Sequence, residues 1–501
     1  MSNIVIGKHT LESLTSGMYS DPFVVFREYI QNSVDSIDEA IRTGIMEFGS
    51  EKIIIRLEPI ENQIIFSDNG MGISAAKVEK TLVSIGNSKK SSENSRGFRG
   101  IGRLSALSYC KRLTFTTSFQ GENVATQVVI DASKLSEVLA DDSQSDITVI
   151  DVLESVYSVS SIPEREDAHY FSVQLDGVDT NSRLLSYTDV EEYLTQNAPV
   201  PYSTDFVWGK EIVKRLQNEG LKIDAYNISL EYGTHSTAIY KPYKDKFIVD
   251  KGKSITDSVQ DIQIIRIPHD NETLTAIGWL AKTNYKGSIY DKTIKGIRLR
   301  KGNILIGDYQ TLNVVFKDAR FNGWSIGEIF VVDKLLIPNA RRDNFEKNSA
   351  YFSLFEQLMT IAAEITRDIR ATSLKRNASL SNAISQLHEA SQEVSIAMDE
   401  GVSGTKKGLI AKKLKETQIA VANSTANNDS EHYYQDIAFA ELDMLIGNLK
   451  GTTKYKALNT IGTLTNTEKK ILERVINIIE TLEIDNADIV IEAILNNFST
   501  E

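Results

Sequence analysis

The chain has one cysteine, Cys110, in 501 residues. An internal disulfide is therefore excluded, and a reducing, cytoplasmic setting is expected. Cysteine and histidine never recur at metal-ligand spacing, so no zinc module of the paired-ligand kind is read. No uninterrupted apolar run approaches the ~20 residues that cross a bilayer, and no membrane association is expected. The opening MSNIVIGKHT lacks a basic segment followed by an apolar one, so no secretory leader is expected. Positive charge is short as well: 55 Lys and Arg face 68 Asp and Glu, a net charge of −13. Such a chain is not a natural nucleic-acid binder as a whole, although a local basic groove can exist within it. What is present suffices for a core. Hydrophobic residues are 41% and charged residues 25%, which argues against global disorder. The length suits about three domains.

Three motifs follow one another in the first hundred residues. The first is FREYIQNSVDSIDEA, residues 26–40. Glu28, Asn32 and Asp35 are spaced i, i+4, i+7 and stack along one face of a predicted helix. Phe26, Ile30, Val34, Ile37 and Ile41 fall on the opposite stripe, as in a helix packed on a core. A polar stripe standing alone is simply a solvated face. The second motif is IIFSDNGMGI, residues 64–73. Ile53–Leu57 and Ile64–Phe66 read as paired strands broken at Pro59, Glu61 and Asn62, with Asp68 where the second ends. Asp68-Asn69-Gly70 alone is a turn signal. Gly72 completes D-x-G-x-G, in which two glycines let the backbone approach a flat ligand. A carboxylate at the floor of such a pocket can accept from an exocyclic amino group such as that of adenine.

The third motif is SIGNSKKSSENSRGFRGIGRLSAL, residues 84–107. Gly97, Gly100 and Gly102 give G-x-x-G-x-G before an apolar helical run. Glycines leading into a helix offer backbone N–H groups and a positive dipole end to a phosphate. The glycine order is not that of a dinucleotide fingerprint, and no strand directly precedes it, so a Rossmann site is not read. Asn87 to Arg96 is polar, without a burial pattern, and reads as a flap or a plain surface loop.

In this order the three motifs resemble the ATPase superfamily of gyrase, the ninety-kilodalton heat-shock chaperone, histidine kinases and MutL. The likeness is nearest to the chaperone branch. LESLTSGMYSDPFVVFREYIQNSVDSID, residues 11–38, resembles its opening helices, and GFRGIGRLSAL, residues 97–107, its glycine lid. The resemblance implies an α+β chain that opens with a Bergerat-type α/β two-layer sandwich and binds and hydrolyses ATP with Mg²⁺. It assigns Glu28 as the general base for the attacking water and Asn32 as the Mg²⁺ ligand. It assigns Asp68 as the adenine acceptor, Gly70 and Gly72 as pocket glycines, and Gly97, Gly100 and Gly102 as the phosphate lid. Lys89 is expected near a phosphate, with Lys90 equally placed, and Asp35 is a second polar position on the helix. The family's Gly-Thr pair on a late strand is missing. The candidate strand His169–Leu175 reads HYFSVQL, and Thr148 is the substitute considered.

The chain divides at Pro199-Val-Pro201. Residues 1–205 are expected to be the ATP-binding domain. Residues 206–348 carry strand-like runs at Ile228–Tyr232, Ile262–Ile267, Leu274–Leu280, Ile297–Ile306 and Ile326–Val332, and are expected to form an α/β transducer-like domain. Within them GEIFVVDKLLIPNARRDNF, residues 327–345, resembles the chaperone segment that ends in a γ-phosphate-sensing arginine. Arg342 is that arginine by alignment and Arg341 its neighbour; a planar, always-charged fork suits a terminal phosphate. Residues 349–501 read as helical, with apolar spacing from Phe352 to Ala397, a break at Gly401–Gly408, a linker at Asn423–Ser430 and a cap at Thr465 or Asn466. A helical dimerisation or partner-docking region is expected.

The expected function is an ATP-driven clamp of the chaperone-like type, a homodimer with an unidentified protein client or partner. A bacterial antiviral defence system is a compatible setting. The alternative is an ATP-gated nucleic-acid clamp of MutL-like or MORC-like type. A histidine kinase is disfavoured, because no phosphoacceptor helix pair precedes the ATPase motifs. Gyrase-like strand passage lacks a cleavage domain.

Overall fold

A computed structural model describes residues 8, 21–83, 102–141, 147–250, 255–269, 273–377, 380–402, 404–424, 429–451, 464–481 and 487–499. The chain forms two compact units, residues 1–369 and 370–501. The fold is mixed α+β with a helical C-terminal region, as the sequence predicts.

An eight-stranded sheet dominates the first part of unit one. Its strands are β1 (Ile53–Glu58), β2 (Gln63–Asp68), β3 (Arg112–Ser118), β4 (Val124–Asp131), β5 (Tyr157–Pro163), β6 (Tyr170–Asp176), β7 (Ile228–Tyr232) and β8 (His235–Ala238). They run in the order β5-β4-β3-β6-β2-β1-β7-β8. β1 and β2 pair as an antiparallel hairpin that sets Ile53 opposite Asp68. Ile53, Ile55 and Leu57 alternate inward with Ile64 and Phe66. That period of two gives the sheet one apolar face. Five helices bury their apolar stripes in the core on it: α1 (Val24–Arg42), α2 (Ala75–Leu82), α3 (Ala132–Ala140), α4 (Val149–Val156) and α5 (Tyr187–Asn197). One sheet under one helical layer is the Bergerat-type two-layer sandwich. The run at Ile228–Tyr232 is a strand as expected, but it pairs in parallel with β1 and so extends the first sheet.

The second sheet comprises β9 (Lys246–Asp250), β10 (Ile255–Pro268), β11 (Leu274–Thr283), β12 (Gly296–Lys301), β13 (Ile304–Ile306) and β14 (Ile326–Val331). Its order is β13-β12-β14-β11-β10-β9. β11 and β14 are buried almost throughout, the pattern of strands covered on both faces. α6 (Gly209–Asn218) shares a core with one face, through Ile212 and Leu216 against Trp279 and Phe330. On the other face the start of α7 (Ser349–Asn377), with Leu354, Phe355 and Leu358, packs against Ile297, Leu299 and Ile329.

Unit two is helical: α8 (Leu380–Glu400), α9 (Gly404–Asn423), α10 (Asp429–Gly451), α11 (Asn466–Thr481) and α12 (Ala487–Ser499). α8, α9 and α10 share one core, including Ala390, Leu414 and Leu442. α8 ends where Gly401 turns left-handed at φ 81°, a conformation that a Cβ disfavours. The break is narrower than the sequence suggests, because Gly408 lies inside α9. Thr465 caps α11, accepting from Glu468 N while the Glu468 carboxylate accepts from Thr465 N at 2.7 Å. Among the described residues no helix is long and apolar enough to cross a membrane.

Candidate nucleotide site

α1 is fixed by its apolar stripe. Phe26 and Tyr29 set their rings 5.3 and 5.0 Å from that of Phe66 on β2, and Val34 and Ile37 are fully buried. The polar stripe is thereby turned to the other side. Glu28 is buried, while Asn32 and Asp35 are half-buried. The opposing stripes read from the sequence are those of the folded helix.

The D-x-G-x-G turn lies directly beneath α1. Asp68 ends β2, only 4% exposed, and accepts from Gly70 N at 2.9 Å. A Cβ on Gly70 would stand 2.4 Å from Ser36 Oγ and 2.8 Å from Asp68 Oδ1. Gly72 adopts φ +68°, and a Cβ there would meet Ser118 O at 1.8 Å. Both positions therefore demand glycine, one for space and one for space and conformation. Asn69 anchors the turn from outside, donating to Ser50 O at 2.9 Å and accepting from Lys52 N at 2.7 Å.

Gly102 opens a 3₁₀ helix, Gly102–Ser108. Tyr29 from α1 donates to Arg103 O at 2.9 Å, and Arg103 Nε donates to Leu82 O at 3.0 Å. Burial pushes the Arg103 guanidinium down to about 10. A Cβ on Gly102 would lie 2.0 Å from Glu28 Oε2. Gly102 therefore packs directly against the Glu28 carboxylate. Gly97, Gly100, Lys89 and Lys90 lie outside the described residues.

Arg342 comes to the same carboxylate from the far end of unit one. It sits in a turn closed by Asn339 N donating to Asn344 O at 2.9 Å, with left-handed backbone at φ 55°. Its Nε is 3.7 Å from Glu28 Oε1, as is Nε of Arg27. Arg27 also donates to Arg341 O at 3.0 Å. The Glu28 carboxylate thus lies between two guanidiniums. A cavity of about 740 Å³ opens beside the arginines, lined by Phe23, Arg27, Tyr193, Arg341 and Arg342 among others; Glu28, Asn32, Asp68, Gly70, Gly72 and Gly102 are not on its wall.

Sequence reasoning missed two residues. His169 Nδ1 lies 2.8 Å from Gly70 O. Thr117 Oγ1 accepts from Ile73 N at 2.9 Å and donates to Tyr170 O at 2.9 Å. A histidine opening the strand that lacks Gly-Thr was the available signal. Thr148 does not replace that pair. Its hydroxyl caps α4 in a reciprocal box with Asp151, so it is committed elsewhere.

Residues 19–157 match the family described as histidine kinase-, DNA gyrase B-, and HSP90-like ATPase. The N-terminal region is an ATPase domain of that superfamily's type. The match spans α1, the D-x-G-x-G turn and Gly102, and it is to the superfamily as a whole. No curated protein matches the chain. The turn glycines are packed against protein atoms of Ser36, Asp68 and Ser118, with the Asp68 carboxylate buried beside them, and Arg27 and Arg342 lie at Glu28. Among the described residues, no three His, Cys, Asp or Glu side chains cluster as a metal cage.

Proposed function

We propose that the chain is an ATP-hydrolysing conformational clamp of the heat-shock chaperone-like type, acting as a dimer. In this reading residues 1–205, joined by the strands at Ile228–Ala238, bind ATP, residues 206–348 act as transducer, and residues 349–501 dimerise or dock a partner. Asp68 accepts from the adenine amino group, with Gly70 and Gly72 admitting the ring. Asn32 would hold Mg²⁺, whose charge neutralises the phosphates. Asp35 supports that end of the helix. Gly97, Gly100, Gly102 and Lys89 line the phosphates. Glu28 orients the water and takes its proton, and Arg342 engages the γ-phosphate.

The observation that carries the reading is the meeting of Glu28, Gly102 and Arg342. Base, lid glycine and transducer arginine come from three separate stretches of sequence and converge on one carboxylate. In this arrangement Arg342 pairs with the base. Engaging the γ-phosphate would shift the Arg342 guanidinium from Glu28 toward the substrate and leave Arg27 as the guanidinium beside the carboxylate that accepts the proton. A group that acts only in the engaged state affects turnover far more than affinity. Arg342→Ala is therefore expected to keep ATP affinity within a few-fold and to lose most phosphate release. Arg341→Ala, whose backbone carbonyl rather than side chain meets Arg27, is expected to do less. If both variants release phosphate like the parent, residues 206–348 are a scaffold and the transducer reading fails.

A further inference from the structure

β6 runs antiparallel to β2 with Phe171 opposite Asp68. The two residues before Phe171 therefore overhang the turn that Asp68 begins. Tyr170 contributes its carbonyl, which takes the Thr117 hydroxyl at 2.9 Å. His169 contributes its side chain, with Nδ1 2.8 Å from Gly70 O. A carbonyl can only accept, so Nδ1 carries the hydrogen and the ring tautomer is set by this contact. The turn is then held on every side. Gly70 N donates to Asp68, Met71 N to Ser36 O at 3.2 Å, Ile73 N to Thr117, and Gly72 rests against Ser118 O.

We infer that His169 is a positioning residue for purine binding: it holds the Gly70 carbonyl, and so fixes the D-x-G-x-G turn against the face on which an adenine would lie. This rests on reading Asp68 as the adenine acceptor. His169 has no part in the phosphate chemistry, which is assigned to Glu28 and Arg342. Removing its donor leaves a turn carbonyl without that partner and lets the turn relax away from the base. The cost falls on ground-state and transition-state binding alike.

The test is calorimetric ATP titration with Mg²⁺ and steady-state phosphate release on the full chain. His169→Ala is expected to raise the ATP Kd about tenfold, with turnover at saturating ATP within about twofold of the parent. His169→Asn, whose amide nitrogen can occupy the Nδ1 position, is expected to recover most of the affinity, whereas a role in packing alone would not be rescued by that smaller side chain. Thr117→Val, which breaks the neighbouring tie, is expected to act in the same direction. Parental affinity in His169→Ala, while Asp68→Asn has lost binding, overturns this inference and leaves the site standing. A failure of Asn to rescue also overturns it. Absence of ATP binding by the parent chain overturns the site reading itself, and the inference with it.

Discussion

Replacing Glu28 with alanine is expected to slow ATP turnover by about 10²–10⁴-fold and to leave ATP affinity within a few-fold. The carboxylate is the base assigned to the attacking water, and it sits within 3.7 Å of both Arg27 and Arg342 and against Gly102. Water cannot replace a positioned base, because the gain lies in an oriented proton acceptor present before the reaction starts. Glu28→Gln is the better control of geometry. It fills the volume against Gly102 and keeps an acceptor for the arginines, yet it cannot take a proton. Both variants are expected to bind ATP and to lose hydrolysis. Unchanged phosphate release by either folded variant removes Glu28 from the mechanism.

The second large effect is expected from stability. Glu328 on β14 is fully buried with Lys241 and Arg300. Lys241 Nζ lies 2.9 and 2.8 Å from its two oxygens, and Arg300 Nε donates to it as well. Trp279 Nε1 donates to the Tyr202 hydroxyl at 2.9 Å, and that hydroxyl donates to Glu328. Arg300 continues to Gln196 O at 2.9 Å, at the end of α5. The cluster therefore ties the second sheet to the end of the ATP-binding region. Burial alone would raise the Glu328 carboxyl; Arg300 and then Lys241 outweigh it and hold the group at about 2. Removing one member of a buried ion cluster strands its partners, at about 3–5 kcal/mol. Lys241, which burial already pushes down to about 7, can shed its proton; Arg300 cannot. Glu328→Ala is expected to lose stability in that range. All three tryptophans, Trp208, Trp279 and Trp324, lie in this region, so urea unfolding followed by tryptophan fluorescence reads it directly. A loss below about 1 kcal/mol would show that the cluster is not holding the region together. The pH dependence has a definite sign. A carboxyl depressed from 4.5 to about 2 contributes stability that is complete above 4.5 and fades as pH falls toward 2. Glu328→Ala should lack that part of the acid slope.

The site was legible where local pattern and chemistry coincide. The opposing stripes of α1, the β1–β2 hairpin and the D-x-G-x-G turn follow from periodicity and turn residues alone. Arg342 was legible through resemblance, since nothing in its spacing links it to Glu28. Two features needed the fold. His169 and Thr117 meet the turn only because β6 and β3 lie beside β2, a pairing set by long-range sheet order. The Lys241–Glu328–Arg300 cluster was invisible because charged residues in strand-like runs read as exposed; here Glu328 and Arg300 face inward on neighbouring strands and neutralise one another. The strand at Ile228–Tyr232 had an ordinary pattern, and only parallel pairing with β1 shows which sheet it completes.

The central claim is that Asp68 and its turn bind adenine. Calorimetric titration of the full chain with ATP and Mg²⁺, parent against Asp68→Asn, tests it most directly. A buried carboxylate bonded to an amino group contributes about 1.5–3 kcal/mol, and its loss strands the groups around it. The parent should bind ATP, and Asp68→Asn should show no measurable binding while retaining its fold by circular dichroism. Parental ATP affinity in a folded Asp68→Asn would contradict the account.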